Sequence, residues 1–336
     1  SGTHGKTTTT SMMSLIAMHA QLDPTVMVGS NLPAIGGTLR IGGKGCFVAE
    51  SCEYCNSFLS FSPTIAVILN IEADHLDFFK DLDDIIHSFH AFCLRTPENG
   101  LVVVNADDAN AKKAVEGVDR AVLTFGTQPA ADVYPENVTV KNGYYSFDVM
   151  VRGEKYTSVT LSVPGRHNML NALASCAVSS YLKLDGGRVG EGLNAFTGSS
   201  RRFQRTGAMP NGALVVDDYA HHPSEMRATL AAAREMDFDR ILCAFQPHTY
   251  TRTKALFDEF VDALGLCDLA ILAPIYAARE QNTIGISSAD LAAKVPGSKS
   301  FDSFEQIADF LRKEAKPGDL VLTMGAGNID EVGRML

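Results

Sequence analysis

A chain of 336 residues, 46% hydrophobic and 20% charged, is long enough for two domains of about 150 residues and too apolar to be disordered over most of its length. Its formal net charge of −10, with no basic run, argues against non-specific nucleic-acid binding. The longest apolar stretch, residues 269–278, contains a proline and falls well short of the roughly 18 residues of a membrane helix, and no N-terminal stretch reads as a signal peptide, so a soluble cytoplasmic protein is expected.

Ser1 runs directly into Gly2-Thr3-His4-Gly5-Lys6-Thr7-Thr8. A strand ordinarily feeds such a loop, and none precedes it, so the chain reads as part of something longer. Residues 7–20 can form a helix. Residues 46–50 read as a short buried strand, 64–71 as a stronger one, and 82–94 have apolar residues at helical spacing. Residues 101–105 and 121–126 are further buried strands. Unbroken apolar runs separated by helices signal a parallel sheet covered on both faces. Residues 138–163 alternate apolar and polar, with Asn142-Gly143 and Arg152-Gly153 as turns, and predict an antiparallel hairpin insert. A helix follows over 167–184. Gly186-Gly187 and residues 197–200 read as punctuation before a second unit. There, strands are expected at 213–217, 241–245, 269–273 and 320–324, and helices at 224–235, 254–264, 289–294 and 304–313. The fold class is therefore α/β: a P-loop domain over 1–198 with a mostly parallel sheet, and a smaller Rossmann-like α/β domain over 199–336.

The N-terminal loop carries the strongest chemistry. Glycines let backbone N–H groups approach phosphate oxygens, and a helix N-terminus favours the anion. Gly2, Thr3, His4, Gly5, Lys6, Thr7 and Thr8 are candidate ATP contacts, with Lys6 on the β/γ-phosphates and the Thr7 hydroxyl on Mg²⁺. The alternative is a threonine-rich helix cap. Glu50 ends one predicted strand, and Asn70-Ile71-Glu72-Ala73-Asp74-His75-Leu76-Asp77 ends the next. Carboxylates and an imidazole there suit either Mg²⁺ ligation or a solvated acidic turn. Asn168 and Asn171 share a helix face and could read an adenine edge, or Asn168 could cap the helix. Arg201-Arg202 is either a surface pair or a source of cation for a transferring phosphoryl group. Residues 217–223 (DDYAHHP) and 246–252 (QPHTYTR) lie at strand ends, the first offering Asp218 to a ribose hydroxyl. Residues 324–330 hint at a dinucleotide fingerprint. Asp330 stands at its last glycine position and only six residues follow, which excludes a dehydrogenase of that kind. Cys52 and Cys55 form a lone C-x-x-C without the second pair a zinc site needs, and read as incidental thiols.

Taken in order, GTHGKTTTT, NIEADHLD, GRHNMLNALA, RRFQRTG, DDYAHHPSE, FQPHTYTRT and MGAGNI resemble the Mur ligases of bacterial cell-wall synthesis over essentially the whole chain. The resemblance implies ATP-driven amide formation through an acyl phosphate. The DDYAHHP and FQPHTYTRT segments point to the member that joins L-alanine to UDP-N-acetylmuramate. It implies Lys6, Glu50, His75 and Arg202 as catalytic residues, Thr7, Glu50 and His75 as metal ligands, and His167, Asn168, Asn171, Arg202 and Asp218 on the nucleotide. Tyr219, His221 and Arg252 fall at the amino-acid site. It further implies a second domain that closes over ATP and the amino acid, and a monomer or weak homodimer without nucleic-acid or membrane partners. Two departures stand out. Cys52 and Cys55 replace acids that often follow Glu50, and Thr249 stands where many relatives carry arginine. A ligase that recycles a ready-made tripeptide, and a P-loop ATPase without ligation, are the alternatives.

Overall fold

A computed structural model describes all 336 residues, which divide into two units, Ser1–Ser200 and Arg201–Leu336. In the first, helix α1 (Lys6–His19) is buried from Thr7 through Ala17. Hydroxyl side chains tolerate such burial only when bonded. Ser11 Oγ accordingly donates to the Thr7 carbonyl at 2.8 Å and Ser14 Oγ to the Thr10 carbonyl at 2.7 Å. Strands β1 (Thr25–Leu32), β2 (Gly37–Arg40) and β3 (Phe47–Ala49) form a small sheet in the order β2-β1-β3. The expected buried strand at 46–50 is corrected: β3 is shorter, pairs only with β1, and leaves Phe47 exposed. The small sheet buries one face, through Val26 and Val28, and leaves Met27 and Leu39 on the open side.

The main sheet of this unit runs β4 (Ile65–Ile68), β5 (Leu101–Asn105), β6 (Ala121–Phe125), β7 (Val133–Lys141), β8 (Tyr144–Val151), β9 (Glu154–Pro164), in that order. Helices α2 (Leu82–Leu94) and α3 (Ala109–Ala114) connect the parallel strands β4, β5 and β6. The antiparallel segment is larger than the predicted hairpin near 138–163. It is a three-stranded meander that joins the main sheet, because Val133 pairs with Phe125 in parallel. Helix α4 (Arg166–Tyr181) follows, then α5 (Gly186–Asn194). Residues 186–187 were expected to be punctuation and instead open α5. Its glycines serve packing: a Cβ on Gly192 would lie 2.7 Å from the Ile16 Cα of α1.

The second unit has β10 (Gln204–Ala208), β11 (Leu214–Asp218), α6 (Pro223–Arg234), β12 (Ile241–Phe245), α7 (Tyr250–Ala255), α8 (Phe257–Leu264), β13 (Leu269–Leu272), α9 (Ser288–Ala292), β14 (Lys299–Ser300), α10 (Phe304–Glu314), β15 (Leu320–Met324) and α11 (Asp330–Met335). Its sheet order is β10-β11-β15-β12-β13-β14, parallel except for β10. The helix expected over 254–264 is two, broken where Leu256 leaves helical geometry. The chain ends in the short helix α11, with no strand after it. Asp218 is in register with Met324, and Met324 with Phe245. The loops after these three strands therefore gather at the carboxyl edge of the sheet, where open α/β sheets bind ligands. No helix is long and apolar enough to cross a membrane.

Candidate active site

In the first unit the glycine loop is fastened to the end of β4. Thr3 N donates to the Asn70 carbonyl at 3.0 Å, and Thr3 Oγ1 accepts from Glu72 N at 2.9 Å. His4 N donates to Asn70 Oδ1 at 2.7 Å, and the His4 ring meets Glu72 at 3.2 Å. The structure thus brings together two motifs that lie some seventy residues apart. Gly5 takes a φ of 83°, and a Cβ there would lie 2.6 Å from Asn171 Oδ1. Only glycine satisfies both conditions. Lys6 Nζ turns back into the loop, donating to Gly2 O at 2.7 Å and Thr3 O at 3.1 Å, and meets both carboxylate oxygens of Glu53 at 3.0 Å. Thr7 Oγ1 donates to Glu50 Oε1 at 3.0 Å, and Glu50 Oε2 accepts from Gly29 N at 2.7 Å. Thr8 is buried within α1.

His75 sits at a left-handed φ of 54°, its ring 4.6 Å from that of Tyr54. Its Nε2 lies 3.7 Å from Asp74 and 3.9 Å from Glu53. His167 is half-buried on the first turn of α4, whose N-cap is Gly165 rather than an asparagine. Asn168 and Asn171 are buried and bonded inward. Asn168 Nδ2 donates to Pro164 O at 2.7 Å, Asn171 Nδ2 to Asn168 Oδ1 at 3.2 Å, and Thr9 Oγ1 to Asn171 Oδ1 at 3.2 Å. In this arrangement they brace α4 against the glycine loop and α1.

In the second unit Arg201 Nε bonds Asp217 at 2.8 Å, while Arg202 lies 3.9 Å from Glu225 and 5.3 Å from the Tyr219 ring centre. Tyr219, His221, His248 and Tyr276 form a run of rings with centroids 5.5 to 5.7 Å apart. Arg252 joins it at 3.1 Å from His248 Nδ1. Thr249 holds a left-handed φ of 67° and its hydroxyl accepts from Arg252 N at 3.4 Å. Glu280 accepts from Tyr250 N at 2.6 Å and Thr251 N at 3.0 Å, so the helix that carries Arg252 is capped by a carboxylate.

Residues 1–179 match the model of the Mur ligase middle domain, and residues 201–327 that of the Mur ligase glutamate ligase domain. The chain belongs to the Mur ligase family. The UDP-N-acetylmuramate–L-alanine ligase of Lachnospira eligens is 49% identical over the whole chain and 74% of its own length. That of Clostridium novyi is 48% identical, again over the whole chain and 74% of the relative. The crystal structure of UDP-N-acetylmuramate-alanine ligase from Thermotoga maritima superposes with a TM-score of 0.82 at 28% identity, over 99% of this chain and 72% of that one.

Two residues of this Mur ligase's candidate site went unassigned from sequence. Glu53 was visible only as part of an acidic stretch, and His248 only as part of the FQPHTYTRT segment. Neither spacing reveals that Glu53 meets Lys6 or that His248 links His221 to Arg252.

Asp218 accepts from Phe203 N at 2.7 Å and Ala220 N at 2.8 Å. Burial pushes its carboxyl up to about 6, against the pull of Arg202 and those two N–H groups. A carboxyl that holds its proton more tightly folded than unfolded stabilises the fold below the unfolded value, and that gain is lost as pH rises through the folded one. From this residue, the unfolding free energy is expected to fall by about 2–3 kcal/mol between about pH 4 and about pH 7. Urea denaturation at both pH values should show Asp218→Asn flattening that slope. An unchanged slope would refute the assignment.

Proposed function

We propose that this Mur ligase joins L-alanine to UDP-N-acetylmuramate at the expense of ATP, a cytoplasmic step of peptidoglycan precursor synthesis. The observation that carries the reading is whole-chain similarity, at 48–49% identity, to proteins bearing that name. The physical problem of the reaction is charge, since an anionic carboxylate must attack an anionic triphosphate. Lys6 is the cation on the β/γ-phosphates, and Arg202 a second cation for the transferring group. Attack of the muramoyl carboxylate on the γ-phosphorus breaks its bond to the β–γ bridging oxygen and gives an acyl phosphate and ADP. The alanine amine then adds to the acyl carbon, and the tetrahedral adduct expels phosphate. Arg252 pairs the alanine carboxylate, with Tyr219 and His221 beside it.

A divalent cation fits the first unit. Thr7 and Glu50 set a hydroxyl and a carboxylate 3.0 Å apart next to the phosphate loop, the hard oxygen donors that Mg²⁺ takes alongside phosphates and water. When bound, Mg²⁺ would neutralise triphosphate charge, with Thr7 and Glu50 holding it and His75 as a further candidate ligand.

Phosphate release from ATP tests the reading. Release is expected to require both UDP-N-acetylmuramate and L-alanine. Release with the sugar and a tripeptide, but not with alanine, would move the protein to recycling. Release indifferent to the sugar would refute ligation.

A further inference from the structure

Glu53 has no task in the reaction just proposed, yet it occupies a costly position. Its side chain is only 3% exposed, with both oxygens 3.0 Å from Lys6 Nζ. An ammonium has three protons to donate, and Glu53, Gly2 O and Thr3 O take up all three. The cation meant for phosphate is therefore already neutralised. A triphosphate that reaches Lys6 meets Glu53 there and Glu50 on the neighbouring Thr7. The repulsion grows with the charge the nucleotide brings, and bare ATP is more negative than ATP paired with a divalent cation.

We propose that Glu53 is a charge filter on the nucleotide site, neutralising Lys6 at rest and rejecting ATP that arrives without its divalent cation. The proposal rests on the ATP-binding reading and adds a residue that selects the form of ATP accepted. Glu53 acts through Lys6, and so is a positioning residue.

The test is titration of a ribose-labelled fluorescent ATP analogue into the whole chain, with excess Mg²⁺ or with EDTA. Wild type, Glu53→Gln and Glu53→Asp are compared. Wild type should bind the Mg²⁺ form at least about tenfold more tightly than the bare form. Glu53→Gln, which keeps the size and an acceptor for Lys6, should tighten bare-analogue binding by about tenfold. It should leave the Mg²⁺ form within about threefold, so the ratio collapses, while Glu53→Asp keeps the charge and the wild-type ratio. A structural or metal-ligand role predicts the opposite sign, since Glu53→Gln would then weaken the Mg²⁺ form; that result overturns the proposal. Equal affinity of wild type for the two forms overturns it without any variant, so misfolding of a variant does not shield it. Absence of binding by folded wild type in either condition would overturn the ATP reading itself, and the filter with it.

Discussion

Lys6→Ala is expected to reduce phosphate release on the order of a thousandfold and, separately, to destabilise the first unit by about 3–5 kcal/mol. The activity loss follows from the proposed role of Lys6 as the cation on the β/γ-phosphates. The stability loss follows from Glu53, which would remain buried with its carboxylate facing carbonyl oxygens and no ammonium between them. Breaking one side of a buried pair costs more than the pair is worth, because it leaves an uncompensated charge. The single variant therefore confounds chemistry with folding. The double variant Lys6→Ala/Glu53→Gln separates them. The amide that replaces the carboxylate carries no charge, so no uncompensated buried charge remains and most of the stability should return while activity stays lost. Urea unfolding and phosphate release on both variants check this. A single variant as stable as wild type would remove the ion pair from the account, and one that still releases phosphate would remove the P-loop assignment.

Features set by local sequence were legible. Helix α2 matches its expected bounds, since apolar residues repeat at helical spacing and Asp81 caps it by accepting from Asp84 N at 3.0 Å. Strands β5, β12 and β15 also match, because a strand covered on both faces of a parallel sheet reads as a near-continuous apolar run, broken here only by Asn105 and Thr323. Features set by distant partners were not legible. The glycines of α5 look like a loop until α1 is laid against Gly192 and β9 against Gly186 and Gly190. Strand β10 is exposed at each position and runs antiparallel at a sheet edge, so it carries no apolar run to read. The meander reads as an insert because its alternation and turns mark only its own strands, and the single pair that joins it to the main sheet, Phe125 with Val133, leaves no local signal. The site divides in the same way. Lys6 and Thr7 belong to one contiguous loop, and Glu50 stands at a strand end, so each was visible. The contact that governs Lys6 spans 47 residues. Asn168 and Asn171 were found as a helix face, but which way that face turns depends on Thr9 and Gly5.

Spacing alone does not separate Arg201 from Arg202, only the family resemblance singles out Arg202, and the structure sets the two apart. Arg201 bonds Asp217 at 2.8 Å through Nε, and its two terminal nitrogens donate to Gly327 O and Gly325 O, both at 2.8 Å. It thereby ties β10's approach to the loop after β15. Asp217 is buried, accepts also from Thr323 Oγ1 at 2.6 Å, and still has its carboxyl pushed above the usual value because burial outweighs those bonds. Without Arg201 that carboxylate would keep one hydroxyl partner and two loop carbonyls would lose their donor. Arg201→Ala should therefore destabilise the second unit by about 3–5 kcal/mol. Arg202 approaches Glu225 at 3.9 Å, lies 5.3 Å from the Tyr219 ring centre and acts on Asp218 through charge, so its guanidinium is less tied than that of Arg201 and is open to a ligand. Arg202→Ala should cost no more than about 1 kcal/mol of stability, while lowering kcat by a factor on the order of 10³ or more if it serves the transferring phosphoryl group. Urea unfolding and phosphate release on the two variants form a crossed design. A folded and fully active Arg202→Ala would remove it from catalysis, and an Arg201→Ala of wild-type stability would mean that Asp217 is held by something other than its arginine.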